Sequence, residues 1–359
     1  MDLASLCRLA MHNNASDIHL KVGMPPMLRI NGDIRTISEL PPLNNDELAK
    51  AMWDIMSPIQ RERFKATNDC DLAHTVPGVA RFRCNVFRSQ QRIGAVLRAI
   101  PTQVRTIDEL ELPPILKKVS HESRGMVLVT GSTGSGKSTT LAAMIEEINR
   151  TLQHHILTIE DPIEFLFEDR RSVVNQREVG LDAPNFHQAL RSALRQDPDV
   201  ILIGELRDLE TVQIALHAAE TGHLVFATLH TIDAHEAINR IVGFFEPHQQ
   251  QQTRIQLGSV LRAVISQRLV PATAGGRVAA LEIMLNTGTI YECIVDGSRT
   301  REVRDHIRKG RAQYGMQTFD QALYDHITNG KVAQDQGLRF ANNPDEVALR
   351  LSGLTDDAD

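Results

Sequence analysis

Met126-Val-Leu-Val-Thr130 runs directly into Gly131-Ser-Thr-Gly-Ser-Gly-Lys-Ser138-Thr-Thr140, and a helix-forming run from Leu141 to Ile148 follows. An apolar strand, a glycine-rich turn and a helix in that order read as the start of an α/β domain. The turn has the spacing G-x-x-x-x-G-K-S, that of a phosphate-binding loop. The spacing has a physical cause. Gly131, Gly134 and Gly136 can take positive φ and leave room for phosphate oxygens beside the backbone. The N–H groups of the stretch from Gly131 to Thr139, those of Ser132, Thr133 and Ser135 among them, then point inward at a helix start. Unpaired donors and the helix dipole favour an anion there. Lys137 can reach the β- and γ-phosphates, and the Ser138 hydroxyl can ligate a magnesium ion. A nucleoside triphosphate is the expected ligand.

The 359 residues are enough for two domains of ordinary size. With 42 % hydrophobic and 23 % charged residues, the composition is that of a globular protein and not of a disordered one. No stretch approaches the roughly 18 consecutive apolar residues that a membrane span requires. Met1-Asp-Leu-Ala-Ser-Leu-Cys7 lacks the charged start and apolar core of a signal peptide. The cytoplasm is the expected compartment. A net charge of −6 argues against a nucleic-acid partner, which is bound through a basic face, although a local basic strip is compatible with it. Cys7, Cys70, Cys84 and Cys293 contain no C-x-x-C pair, so neither a disulfide framework nor a zinc site is expected.

Residues 1–98 read as a small α+β domain. Ile18-His-Leu-Lys-Val22 alternates like a strand, and Met27-Leu-Arg-Ile30 enters Asn31-Gly32, a hairpin signal. A helix is expected from Asn45 to Met56, and strands at Cys70–His74, Arg81–Phe87 and Ala95–Ile100. Residues 99–114, with Pro101, Pro113 and Pro114, read either as a hinge or as a surface loop. Thr106-Ile-Asp-Glu109 can start a short helix as a capping box. From residue 115 to 359 strands and helices alternate, which implies a largely parallel sheet. Strands are expected at Met126–Thr130, Ile156–Ile159, Val200–Ile203 and Leu224–Leu229. Helices are expected at Leu141–Thr151, Phe186–Leu194, Leu209–Glu220 and Ala234–Val242. After Pro247 the chain reads as mainly helical, apart from a strand at Val278–Leu285.

Three segments lie where strands of this sheet end, the place where ligands gather in such folds. Thr158-Ile-Glu160-Asp161-Pro-Ile-Glu164 offers three carboxylates. They form either a solvated turn or a group beside Ser138 that holds magnesium through its waters. Asp199-Val-Ile-Leu-Ile-Gly-Glu205 is a buried strand ending in an acid, with Gly204 where an aspartate is usual. Glu205 can polarise a water for in-line attack. Glu220-Thr-Gly-His223-Leu-Val-Phe-Ala-Thr-Leu-His230-Thr231 puts His223 before a strand and His230 at its end, where His230 can sense a γ-phosphate. Upstream, Arg81, Arg83 and Asn85 share one face of a strand, with Phe82, Cys84 and Val86 on the other. With Arg98 nearby, these arginines are either an exposed basic face or groups that reach a phosphate held by a neighbouring subunit.

The four segments together resemble the secretion and type IV pilus ATPases. Within them the chain is similar to the retraction ATPases of twitching motility, the PilT type, through Ser16-Asp-Ile-His-Leu20, Pro25-Pro-Met-Leu-Arg-Ile-Asn-Gly-Asp33, Val174-Asn-Gln-Arg-Glu-Val-Gly180 and Tyr314-Gly-Met-Gln-Thr-Phe-Asp320. The resemblance extends to about residue 350. It implies a PAS-like N-terminal domain, a RecA-like ATPase domain with a helical part from about residue 288, and a homohexameric ring. ATP with Mg2+ would be the bound nucleotide, and an inner-membrane platform protein the partner at the membrane face. On this resemblance Lys137 and Ser138 bind phosphate and metal, and Glu205 is the catalytic carboxylate. Glu160, Asp161 and Glu164 form an acidic box, His223 and His230 a histidine box, and Arg83 or Arg98 closes over a nucleotide.

The late tetracysteine insertion of the assembly ATPases is missing, since only Cys293 follows His230, and this favours retraction over extension. Retraction motors carry an Ala-Ile-Arg segment at the start of their C-terminal helices. Thr289-Ile-Tyr-Glu-Cys-Ile-Val295 stands there, with Tyr291 in place of the arginine, and Ile307-Arg-Lys-Gly-Arg311 follows. An accessory paralogue of a main motor therefore stays open beside a retraction motor. A RecA-like nucleic-acid translocase is the alternative from another class.

Overall fold

The structure of the protein, a computed structural model, describes residues 2–30, 32–100 and 104–353. The chain divides into two compact units, one of residues 1–103 with 164–166, the other of residues 104–163 with 167–359.

The first unit is an antiparallel sheet with helices. Its elements are α1 (Leu3–His12), β1 (Asp17–Lys21), β2 (Met27–Ile30), β3 (Asp33–Thr36), α2 (Asn45–Ile55), α3 (Pro58–Thr67), β4 (Asp69–Val76), β5 (Ala80–Ser89) and β6 (Arg92–Ile100). The strand order is β3-β2-β1-β6-β5-β4. Asn31 lies outside the described residues, and the strands on either side of it pair with Ile30 opposite Asp33. Pro101 lies outside them too. Period-two alternation sends Phe82, Cys84 and Val86 of β5 inward with Ile18, Leu20 and Leu97. The other face carries Arg83 directly opposite Arg98.

The second unit opens with Thr106 and Glu109 bonded reciprocally: Thr106 N donates to the Glu109 carboxylate at 2.7 Å and Glu109 N to Thr106 Oγ1 at 3.2 Å. The capping bonds form, but the segment is a turn and no helix follows until α4 (Ile115–Ser120). Then come β7 (Gly125–Thr130), α5 (Lys137–Thr151), β8 (His155–Glu160), β9 (Val173–Glu178), α6 (Phe186–Ala193), β10 (Val200–Ile203), α7 (Leu209–Glu220), β11 (Leu224–Leu229), α8 (Ala234–Gly243), α9 (Gln250–Val260), β12 (Leu261–Pro271) and β13 (Arg277–Leu285). The helices of this unit begin on side-chain caps where the loop supplies one, as Asp208 does for α7 and Asp233 for α8.

The sheet order is β13-β12-β7-β11-β10-β8-β9, parallel except for the β12–β13 pair. Helices cover both faces, so β7, β10 and β11 are buried along their whole length. Met126 and Leu128 point into one core and Val127 and Val129 into the other.

β12 corrects the helical reading after Pro247. It follows α9 without a break and lies beside β7, so the loop strand is bonded on both sides. The remainder is helical: α10 (Gly288–Val295), a 3-10 turn (Gly297–Glu302), α11 (Val303–Lys309), α12 (Arg311–Tyr314), α13 (Phe319–Thr328), α14 (Gln334–Phe340) and α15 (Pro344–Leu351). Among the described residues no helix is long and apolar enough to cross a membrane.

Candidate active site

The loop after β7 is shaped by its glycines. Gly131 has φ 145°, and a Cβ there would stand 2.5 Å from the Gln267 carbonyl oxygen and 2.5 Å from Ser135 Oγ. Gly136, at φ 88°, leads into α5 without a side-chain cap, so the first N–H groups of α5 stay available to an anion. Lys137 is buried, and its Nζ donates to the carbonyls of Gly131 at 2.8 Å and Ser132 at 2.9 Å. The Ser135 hydroxyl is buried with no hydrogen-bond partner among the described residues. Such an orphan is costly unless a phosphate oxygen accepts from it. Ser132, Thr133 and Gly134 are exposed, and Ser138 and Thr139 half-buried.

Two residues that the sequence reading did not single out complete this loop. Thr140 Oγ1 donates to Gln267 Oε1 at 2.6 Å, and both side chains are buried. Gln267 comes from β12, the strand that was read as helix. Its signal was a β-branched run, Val264-Ile265, closed by Pro271 and the tight Gly275-Gly276 turn.

The parallel strands bring their carboxyl ends to one edge, in the lateral order β12, β7, β11, β10, β8. Gln267, the loop, His230, Glu205 and the Glu160-Asp161 pair therefore lie side by side along that edge. At about 4.8 Å per strand, β10 is roughly 10 Å from β7 and β8 roughly 14 Å. The acidic box thus does not stand directly beside Ser138, because β11 and β10 intervene. It joins the site through a cation. Arg207 Nε donates to Glu205 Oε2 at 2.8 Å, and Arg207 Nη1 lies 3.5 Å from the Asp161 carboxylate. His230 Nε2 lies 3.4 Å from the other Glu205 oxygen, and Glu205 keeps only 20 % of its side-chain surface exposed. Glu160 accepts from Thr158 Oγ1 at 2.7 Å and from Gln176 Nε2 at 3.3 Å. The part of Arg207 depends on β8 lying beside β10, a pairing that motif spacing does not state.

Gly204 has a packing reason. A Cβ there would stand 3.3 Å from both Glu160 Cα and the Ile159 carbonyl oxygen, so a side chain at this position would need β8 to give by a few tenths of an ångström. Glu205 is the acid that ends β10.

His223 is placed elsewhere. It precedes β11, with its Nδ1 2.9 Å from the Ala218 carbonyl oxygen, while His230 follows the strand. Six strand residues separate the two by roughly 20 Å, so His223 is not part of the wall around the phosphate loop of this unit. Glu164 is exposed and falls in the stretch that groups with the first unit.

In the first unit, Arg98 Nε donates to Asp17 Oδ1 at 2.8 Å, and Arg29 lies 3.8 Å from the other Asp17 oxygen. Burial pushes the Asp17 carboxyl up, but the bonds from Arg98 and Ser16 outweigh it and hold the carboxyl below its ordinary range. Arg83 is exposed and makes no ion pair among the described residues.

Three oxygen donors lie along this edge: the Ser138 hydroxyl and, two and three strands away, the carboxylates of Glu205 and Asp161. That set suits a hard cation such as magnesium.

The family model described as type II/IV secretion system protein matches residues 2–336. A type IV pilus retraction ATPase, PilT of Pseudomonas aeruginosa, is 47 % identical over 345 residues, covering 96 % of this chain and 99 % of that protein. PilU of the same organism, described as a type IV pilus ATPase, is 40 % identical over 361 residues, covering 100 % of this chain and 94 % of that protein. A crystal structure of the pilus retraction motor PilT with bound ADP superposes with TM-score 0.89 at 42 % identity, covering 96 % of this chain and 98 % of that one.

Proposed function

Because this chain belongs to the type II/IV secretion system protein family, we propose that it is an ATPase motor that drives retraction of a type IV pilus. The observation that carries the reading is the row of Lys137, His230, Glu205 and Asp161 along one sheet edge. That row belongs to a chain similar from end to end to a pilus retraction ATPase. In this reading the loop N–H groups and Lys137 bind the phosphates of ATP. The Ser135 hydroxyl finds its partner on a phosphate oxygen. Glu205 takes the proton of the attacking water, Arg207 fixes the angle of that carboxylate, and His230 stands one strand from the loop, beside the γ-phosphate. Ser138 would hold magnesium, which when bound neutralises phosphate charge.

The assembled form is proposed to be a homohexamer acting on a platform protein at the inner-membrane face. Arg83 then reaches the nucleotide of a neighbouring copy as an arginine finger, since Arg98 is engaged by Asp17. The purified protein should hydrolyse ATP in the presence of Mg2+. Glu205→Gln should bind the nucleotide with little change in affinity and lose turnover. Unchanged turnover in that variant would remove Glu205 from the role of base. Expression in a strain lacking its retraction ATPase, scored for twitching, tests the pilus part of the reading.

A second reading rests on α10. Tyr291 occupies the place of an arginine expected there, and its ring packs where a Cβ on Gly258 would come within 3.0 Å. A motor of this kind can assist another retraction ATPase instead of replacing it. Failure to restore twitching alone, with restoration when a second retraction ATPase is present, would favour that role.

A further inference from the structure

Away from the nucleotide loop, three potential metal ligands converge in the C-terminal helices. Cys293 on α10, Glu302 at the end of the 3-10 turn and His306 on α11 place one ligand atom each within 4.8 Å of one another. His306 Nε2 lies 3.9 Å from a Glu302 oxygen. We propose that Cys293, Glu302 and His306 form a binding site for a zinc-class divalent cation, with water in the fourth position.

The chemistry selects the ion. A thiolate, an imidazole and a carboxylate together suit zinc or cobalt and do not suit magnesium or calcium, which take oxygen ligands. The ligand atoms of a tetrahedral zinc ion lie about 3.5 Å apart, given Zn–S and Zn–O bonds near 2.3 and 2.0 Å. The observed spacings therefore need only small side-chain adjustments. Cys293 is buried, and its thiol makes no hydrogen bond among the described residues. On binding, the thiol gives up its proton to solvent and the sulphur takes the metal, with no change of oxidation state.

The backbone around the site is pinned. Thr300 Oγ1 donates to the Cys293 carbonyl at 3.3 Å, and Arg254 Nη1 donates to the Ile294 carbonyl at 3.2 Å. One competitor is present. Arg299 donates to Glu302 from Nε at 3.1 Å and Nη2 at 3.0 Å, and its Nη1 lies 3.4 Å from Glu292. A metal on Glu302 exchanges one cation for another, and Glu292 keeps the guanidinium. The ligands are spread over a helix, a turn and a second helix, so no paired-cysteine motif marks them in the sequence.

The test is a titration of the full-length, chelator-treated protein with Co2+. One equivalent should produce a thiolate-to-cobalt charge-transfer band in the near ultraviolet, and Zn2+ should displace it. The other thiols, Cys7, Cys70 and Cys84, lie in the first unit, so Cys293→Ser should abolish the band. His306→Ala should weaken Co2+ binding by roughly tenfold or more, since even outer partners of ligands are worth that much. Arg299→Gln should tighten it by removing the competing cation. His306→Ala and Arg299→Gln keep the test decisive if Cys293→Ser does not fold. No band at stoichiometric Co2+, a band that survives Cys293→Ser, or Co2+ affinity indifferent to both His306→Ala and Arg299→Gln would overturn the site.

Discussion

Arg207 Nε donates to Glu205 Oε2 at 2.8 Å, from a position two residues further along the turn that ends β10. The carboxylate proposed to face the attacking water is thus oriented by a cation of its own turn, and the same cation lies 3.5 Å from Asp161. Arg207→Ala should lower kcat for ATP hydrolysis by about tenfold, equivalent to about 1.4 kcal/mol of barrier. KM should move little, because Arg207 does not belong to the phosphate loop. Arg207→Lys should recover part of the loss. Steady-state kinetics decide it, and an unchanged kcat in the alanine variant would deny Arg207 any positioning role.

Gln267 and Thr140 form a buried pair that ties β12 to the first turn of α5. Gln267→Leu leaves the Thr140 hydroxyl unpaired and should cost about 1–3 kcal/mol of stability. Replacing both partners, Gln267→Leu with Thr140→Val, should recover much of it, because two apolar groups leave nothing unsatisfied. Denaturant unfolding of the two singles and the double gives the coupling. Strict additivity would mean that the bond is not what holds the two elements together.

Glu282 on β13 is buried and accepts from Ala234 N at 2.9 Å, at the start of α8. Its pKa is raised from 4.5 to about 7: desolvation dominates, the Ala234 N–H opposes it, Asp233 adds to it, and Arg304 and Arg268 partly offset it. The folded state therefore holds this proton more tightly than the unfolded chain between pH 4.5 and about 7. Its contribution to stability is fully present below that window and is lost as pH rises through it. Glu282→Gln keeps an acceptor for Ala234 without the charge. The variant should be more stable than the parent above pH 7, by an amount on the order of 3 kcal/mol, and the advantage should shrink toward zero as pH falls to about 4.5. Thermal melts of both proteins across this range check it. A difference independent of pH would contradict it.

Arg83 and Arg98 face each other on β5 and β6, but their surroundings differ. Arg98→Ala removes the closest partner of the buried Asp17 carboxylate and should lower Tm, more so at neutral than at acid pH. Arg83→Ala should leave Tm unchanged or slightly higher, since like charges directly opposed are unfavourable, while lowering ATP turnover of the assembled protein. Equal turnover for Arg83→Ala and the parent would return Arg83 to the status of an exposed basic residue.

The site was legible wherever chemistry follows a short apolar run. β7, β10 and β11 are covered on both faces, so their sequences carry no polar alternation and their ends are sharply marked. Lys137, Glu205 and His230 could be placed at strand ends for that reason. β12 was hidden because α9 runs into it with no loop between them, and β3, although a hairpin signal precedes it, carries no apolar alternation because all four of its residues are exposed. Lateral order was not legible at all. It decides that Gln267 meets Thr140, that Arg207 spans Glu205 and Asp161, and that Gly204 packs tightly against β8. His223 shows the converse. It is close to His230 along the chain, yet an extended strand carries the two to opposite ends of the sheet.

The burial of β7 bears on how force leaves this molecule. Its backbone is bonded to β11 on one side and β12 on the other, and its side chains are clamped alternately in two cores. A strand held in four directions has almost no compliance, because close-packed interiors deform little. A displacement produced at Lys137 during a turnover therefore cannot dissipate in the strand beneath it. The sheet acts as an anvil, and the work must be delivered through the loops and helices that stand above its edge.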